Sequence, residues 1–178
     1  MRRKVHHSGE MGASALRDGL RQRGIGESGD RAEAEHQAML EWQARWDTTD
    51  KGAWTHRFIP SVDRWKERGH GSLHFHLTQA LTGHGCFRAY LKRIGKLDDD
   101  MCPTCRRQET VEHAVLHCNR MEDLRRQLEE EVPGPITPER LGEHMLSSLR
   151  GWTTVDRYLT AVVKRLEEAE RARNRAQE

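Results

Sequence analysis

The chain has 178 residues, of which 35% are hydrophobic and 33% are charged, and its formal net charge at pH 7 is +2. This length allows one domain or one and a half, with a modest apolar core. No run approaches 18 apolar residues, and the first 20 residues lack the apolar stretch of a signal peptide, so we expect no membrane span and a reducing compartment.

Residues 1–30 are rich in glycine and poor in large apolar side chains, so we predict that this segment is disordered. A helix is expected over residues 31–48, because Met39, Trp42 and Trp46 recur at spacings of three and four. Tryptophans at helical spacing are more often core residues than a binding platform, and we predict that these are buried.

Shorter elements follow. Pro60 can occupy the first turn of a short helix within residues 54–68. Residues 73–77 alternate between apolar and polar types, which suits an extended segment but could equally belong to a helix. Residues 87–94 favour an amphipathic helix. Its polar face carries three basic residues, Arg88, Lys92 and Arg93.

Three of the four cysteines lie in one short window with the pattern C-x2-C-x7-H-x4-C. Thiolate sulfur and imidazole nitrogen are the ligands that Zn²⁺ prefers, and a structural zinc site takes four of them in a tetrahedron. The sequence therefore predicts one structural zinc ion. Its ligands would be Cys102, Cys105, His113 and Cys118.

A second residue could supply the fourth ligand in place of Cys118. Thr110 can cap a short helix, on which His117 lies four residues after His113 and on the same face. We favour Cys118, because a thiolate is the stronger zinc ligand. The remaining cysteine, Cys86, is interpreted as an ordinary buried or half-buried thiol.

Helices are predicted after the zinc pattern. Met121, Leu124, Leu128 and Val132 form one apolar stripe, which ends at a Pro-Gly-Pro sequence. Thr137 is followed by a proline, which is the signature of a helix N-cap.

The fold class is predicted to be mostly α, a small helical zinc-knuckle module with flanking helices. The segments are a disordered 1–30, a helical region 31–97, the CCHC zinc knuckle 98–120, C-terminal helices 121–170 and a charged tail 171–178.

Several stretches together resemble a known family. They are WQARWD at residues 42–47, WTHR at 54–57, LTGHGCF at 81–87 and the zinc pattern. In combination they resemble the C-terminal end of the polyprotein of non-LTR retrotransposons, closest to the type-one (R-one-like) elements of insects. The resemblance covers about residues 41–118 well and the later helices more loosely, so the chain is interpreted as a fragment or the product of a truncated copy.

The resemblance implies a supporting role in target-primed reverse transcription, in which element RNA is copied at a nick in DNA. The expected partners are RNA or single-stranded DNA, and the upstream polymerase region, in the nucleus. Residues 51–96 carry nine Lys and Arg against two acids, although a charge run of this kind is usually just a solvated face. The candidate nucleic-acid contacts are Arg106, Arg107, Arg88, Lys92 and Arg93, with His84 and Tyr90 as possible base-stacking rings.

Whether the chain is an enzyme is left uncertain, although the parent polyprotein would be an RNA-directed DNA polymerase with an endonuclease. The only compact acidic group is Asp98-Asp99-Asp100, which we interpret as a polar linker rather than a two-metal site. No lysine has an acid two residues before it, and the predicted zinc site is closed. We therefore expect no polymerase or nuclease activity from this chain alone. The alternative function is a zinc-stabilised scaffold that docks on protein.

Overall fold

The computed structural model describes residues 12–176, with side chains from residue 29 onward. The described residues divide into two compact units, and the second unit begins at Arg45. The helices of the described part are α1 (Gly12–Thr48), α2 (Ala53–Phe58), α3 (Val62–Glu67), α4 (Phe75–Thr82), α5 (Arg88–Arg93), α6 (Glu122–Glu131), α7 (Pro138–Ser147) and α8 (Leu149–Arg175).

The mostly α fold class is confirmed. Over the described residues there is no β-strand, and an isolated antiparallel bridge joins Met101 to Gln108. Between α5 and α6 the chain forms a π-helical turn, His113–His117, and a 3₁₀ turn, Asn119–Met121. Within the same part of the chain, none of the helices combines the length and the apolar character needed to cross a bilayer.

Helix α1 begins at Gly12, whereas the sequence predicts a helix only from Arg31. The predicted disordered segment 1–30 therefore overlaps helical backbone, and its first eleven residues lie outside the described part. Among the predicted buried tryptophans, Trp42 is about half exposed, at 51%. Its expected burial is wrong, because a helical repeat by itself does not provide a surface for the side chain to pack against.

Local side-chain caps decide the form of two short elements. Residues 54–68 make two short helices rather than one, and Ser61 caps the second by accepting from Arg64 N–H at 3.3 Å. The open choice at residues 73–77 resolves as helix from Phe75 onward, because the extended His74 caps α4 by accepting from Leu77 N–H at its Nδ1.

The predicted tail 171–178 is helical as far as Arg175. Ion pairs within α8 join Arg171 to Glu167 and Arg173 to Glu170. Such pairs, three or four residues apart, stabilise a helix with little packing. The N-cap at Thr137 is confirmed, since its hydroxyl accepts from Arg140 N–H at 3.3 Å.

Helix α8 is the centre of the second unit, and α4, α6 and α7 all contact it. Two glycines on α7 and α8 allow close packing. A Cβ at Gly142 would lie 2.1 Å from the carbonyl oxygen of Phe58, and one at Gly151 would lie 2.1 Å from that of His144. The buried core of this unit is contiguous with two cysteines, Cys102 and Cys118.

Aromatic side chains fasten the short helices to this core. Trp54 Nε1–H donates to Ala80 O at 2.8 Å, and Trp46 Nε1–H donates to Ile59 O at 2.7 Å. Each indole thus buries apolar area while its N–H is satisfied. The guanidinium of Arg68 lies over the rings of both Trp65 and Trp152, at 4.5 and 4.7 Å from their centroids.

Candidate metal centre

The first half of the centre is a tight turn over Cys102–Cys105. Cys102 N–H donates to Arg107 O at 2.7 Å, and Arg106 N–H donates back to Cys102 O at 3.0 Å. Inside the turn, Cys105 N–H points at Cys102 Sγ, 3.4 Å away. These backbone hydrogen bonds therefore hold both sulfurs on the same side of the turn, with no contribution from a metal ion.

The second half is the π-helical turn. Thr110 Oγ1 accepts from His113 N–H at 3.1 Å, as the sequence predicts, and Cys118 N–H donates to His113 O at 2.7 Å. In a regular α-helix, residues five apart point about 140° away from each other. The wider π turn, with its five-residue hydrogen bond, brings His113 and Cys118 onto one side.

The predicted ligands come together. The candidate ligand atoms of Cys102, Cys105, His113 and Cys118 all lie within 4.8 Å of one another. Cys118 Sγ is 3.8 Å from Cys102 Sγ and 3.9 Å from Cys105 Sγ. These spacings suit sulfurs that share a tetrahedral metal ion. The four side chains can therefore hold a metal.

His113 is also suited to bind a metal ion. His113 is 5% exposed, and its Nε2 is buried without a hydrogen-bond partner among the described residues. Burial lowers its pKa, and the neighbouring positive charge of Arg120 acts in the same direction. The imidazole is therefore neutral at physiological pH, which is the state that binds a metal. Its rival His117 is exposed and lies outside the cluster.

One residue at the centre was not singled out from the sequence. Arg120 donates from Nε to Cys118 Sγ and from Nη2 to Cys102 Sγ, both at 3.4 Å. Nη2 also pairs with Glu109, which is 2% exposed. Burial acts to lower the pKa of Arg120, but its contacts with Cys118 and Glu109 outweigh that effect and raise it. The signal in the sequence is only its position, two residues after the last ligand.

The centre is joined to the helices around it. The hydroxyl of Tyr158 on α8 donates to Val115 O, inside the π turn. Arg165 Nη1, also on α8, donates to Arg120 O at 2.6 Å. Arg57 on α2 pairs with Glu112, just before the π turn, at 2.6 Å. The turn that carries two ligands is thus anchored on both sides.

The predicted nucleic-acid contacts fall in two places. Arg106 and Arg107 follow the second ligand and are exposed. Arg106 has a φ of 56°, in the left-handed region that favours glycine. A non-glycine residue there costs roughly 1–2 kcal/mol.

The other three lie on α5, where each contacts another side chain of the protein. Arg88 pairs with Asp99 at 2.9 Å, and Lys92 pairs with Asp100 at 3.1 Å. Arg93 lies over the ring of Tyr90, 5.1 Å from its centroid. Tyr90 also contacts the exposed His84, with the ring centroids 4.7 Å apart.

The acidic run interpreted as a linker has a specific structural use. Asp99 Oδ1 accepts from Met101 N–H at 2.9 Å, and Asp100 Oδ2 accepts from Gln108 at 2.9 Å. Together with the ion pairs to Arg88 and Lys92, these contacts attach the cysteine turn to α5.

Cys86 is half-buried, as expected, and its thiol lies 3.6 Å from Val163 O. Burial, followed by the nearby charge of Glu167, raises the thiol pKa from 9.0 to about 12. We therefore expect Cys86 in the folded protein at pH 8 to react with iodoacetamide at least a hundredfold more slowly than in urea, because the thiolate is the nucleophile.

Mass spectrometry of the alkylated peptides measures this rate, with Cys86→Ala to identify the labelled site. Since the unfolded thiol ionises first, the stability contributed by Cys86 is present at neutral pH and is lost as pH rises above about 9. Labelling of folded Cys86 as fast as in urea would contradict the assignment.

The chain is similar in sequence to parts of three known proteins. The chain is 38% identical over 84 residues, 47% of its length, to the retrovirus-related Pol polyprotein from type-1 retrotransposable element R1 of Bradysia coprophila. It is 29% identical over 119 residues to the corresponding R1 4 polyprotein of Nasonia vitripennis, a match that takes in 66% of the chain. A putative 115 kDa protein in the element R1DM of Drosophila melanogaster is 32% identical over 106 residues, 59% of the chain.

The matched regions make up 8%, 30% and 10% of these three proteins, so the chain spans only a small part of each. No protein-family model and no solved structure matches the chain. Two of these relatives are named as Pol polyproteins of type-1 retrotransposable elements and the third as a putative protein of such an element, so the resemblance inferred from the sequence motifs is confirmed.

Proposed function

We propose that the chain is a zinc-binding, nucleic-acid-contacting module of a non-LTR retrotransposon polyprotein. Its exposed arginines would contact RNA or single-stranded DNA during target-primed reverse transcription, which takes place at chromosomal DNA in the nucleus. The names of the relatives support the polyprotein context.

Zinc is the metal that best suits the donor set. Three thiolates and one imidazole are soft to borderline ligands, and in a tetrahedral arrangement they are typical of structural zinc sites. With Zn–S bonds of about 2.3 Å, two sulfurs on a tetrahedron lie about 3.8 Å apart. The distances of 3.8 and 3.9 Å from Cys118 Sγ to the other two sulfurs agree with this value.

The observation that carries the nucleic-acid proposal is the backbone of Arg106. An exposed arginine in the left-handed region is costlier than glycine, so the residue is better explained by its side chain than by the turn. Arg107 beside it is also exposed. Two adjacent guanidinium groups on a metal-stiffened turn suit phosphate binding, which gives affinity with little sequence preference.

The test uses the double variant Arg106→Gly, Arg107→Ala. Glycine removes the side chain but accepts the backbone conformation, so we expect the melting temperature and metal content to stay close to wild type. Binding of a labelled single-stranded RNA should weaken. The slope of log K against log salt should become shallower by about 1.4, because two phosphate contacts are lost at about 0.7 each.

Fluorescence anisotropy at several salt concentrations measures both quantities. Arg126→Gln is the matched control, since Arg126 is an exposed arginine on α6 that pairs with Glu122. A salt slope unchanged in the double variant would remove these two arginines from the interface.

Docking on protein is the second candidate. Leu73 and Phe75 are exposed, at 49% and 68%, near the start of α4. Self-association of the chain that does not respond to salt, together with RNA binding too weak to measure, would favour this function over the first.

A further inference from the structure

We propose that Arg120 is a positioning residue of the metal centre, which holds two ligand sulfurs in place and compensates their charge. This inference rests on the proposed metal site. It concerns a residue outside the C-x2-C-x7-H-x4-C pattern.

The contacts of Arg120 converge on the ligands. Its Nε and Nη2 atoms each lie 3.4 Å from a ligand sulfur, that of Cys118 and that of Cys102 respectively. These two sulfurs are contributed from opposite halves of the centre, the first turn and the end of the π turn. One planar guanidinium therefore bridges both halves with fixed N–H directions.

The guanidinium is itself held in place. Glu109 accepts from Nη2 and is almost fully buried, so it fixes the orientation of the group. The backbone carbonyl of Arg120 accepts from Arg165 on α8 at 2.6 Å. The side chain and the backbone of Arg120 are thus both restrained, as expected for a group whose direction matters.

The charge of the centre gives the physical reason. A divalent ion with three thiolates and a neutral imidazole carries one net negative charge, and a buried charge without a partner is costly. Arg120 supplies a positive charge in direct contact with two of the thiolates. Its N–H groups also draw electron density from the sulfurs, which makes the sulfurs less nucleophilic and so slower to be protonated or alkylated.

The experiment compares the full chain with Arg120→Gln and Arg120→Lys, loaded with Co²⁺ as a spectroscopic probe. We expect Arg120→Gln to weaken Co²⁺ affinity by about 10–100-fold, the usual effect of losing a partner of the ligands. Loss of metal to excess chelator and alkylation of the ligand cysteines should both become faster. Arg120→Lys should recover part of the affinity, because it restores the charge but not the two directed contacts.

Arg126→Gln is again the control and should bind Co²⁺ like wild type. If Arg120→Gln fails to fold even with metal, Arg120→Lys, which keeps the charge but loses the two directed contacts, should by itself bind Co²⁺ more weakly and lose it faster than wild type. The inference is overturned if Arg120→Gln and Arg120→Lys match wild type in affinity and in metal loss, or if Arg120→Lys does so where Arg120→Gln cannot fold. Failure of the wild-type chain to bind one Co²⁺ would instead overturn the proposed metal site itself.

Discussion

Replacement of Cys118 by serine is expected to abolish metal binding and to unfold the whole second unit rather than the 98–120 segment alone. Cys118 and Cys102 are fully buried within the same core cluster as residues of α7 and α8. Structural zinc supplies about 10–16 kcal/mol of apparent binding energy in small zinc-finger peptides. A domain of this size has only about 5–15 kcal/mol of net stability, so losing the metal should remove most of it.

Metal analysis and circular dichroism at increasing temperature measure the effect, and excess chelator should reproduce it in the wild-type chain. His117→Ala and Cys86→Ser are the controls, and both should keep the metal, because His117 is exposed and Cys86 is not in the cluster. If His117→Ala lost the metal while Cys118→Ser kept it, the assignment of the fourth ligand would be wrong.

Replacement of Gly142 by alanine is expected to destabilise the second unit by about 3 kcal/mol. The added Cβ would lie 2.1 Å from the carbonyl oxygen of Phe58 and 2.9 Å from its carbonyl carbon, so α2 and α7 would have to separate. Overpacking of this kind typically costs about 1–3 kcal/mol, and the obstacle here is backbone, which cannot rotate away. Alanine is a better helix former than glycine by about 1 kcal/mol, which is too little to compensate.

Thermal unfolding with metal bound should show a midpoint lower by roughly 10 °C. Gly69→Ala is the matched control, because nothing lies within 4 Å of the position its Cβ would take. We expect that variant to unfold within about 2 °C of wild type. Equal midpoints for the two variants would mean that α2 and α7 do not approach as closely as described.

The parts of the structure that were predictable are those encoded by local spacing. The ligand pattern needs only residue types and intervals, and the four predicted side chains do come together. The cap at Thr137 and the stripe on α6 were predictable for the same reason, since each depends on residues within one or two turns.

The features that were missed depend on contacts between distant segments. Cys102 and Cys118 are buried in one cluster with residues of α7 and α8, which the ligand spacing does not indicate. Arg120 could not be identified as a partner of the ligands, because its two sulfur contacts exist only once both halves of the centre are folded. The exposed Trp42 is the converse case, in which a local repeat predicted burial that tertiary packing does not provide.

The link between the π turn and α8 has a consequence for how the protein is made. Synthesis from the N-terminus produces all four ligands once Cys118 has been added, and the ribosome then still has to make α8. Until then the carbonyl oxygen of Val115 cannot accept the hydrogen bond from Tyr158, and that of Arg120 cannot accept the one from Arg165. An ion captured by the nascent chain would therefore sit in an open, solvent-accessible site, and it would become enclosed only when α8 leaves the exit tunnel.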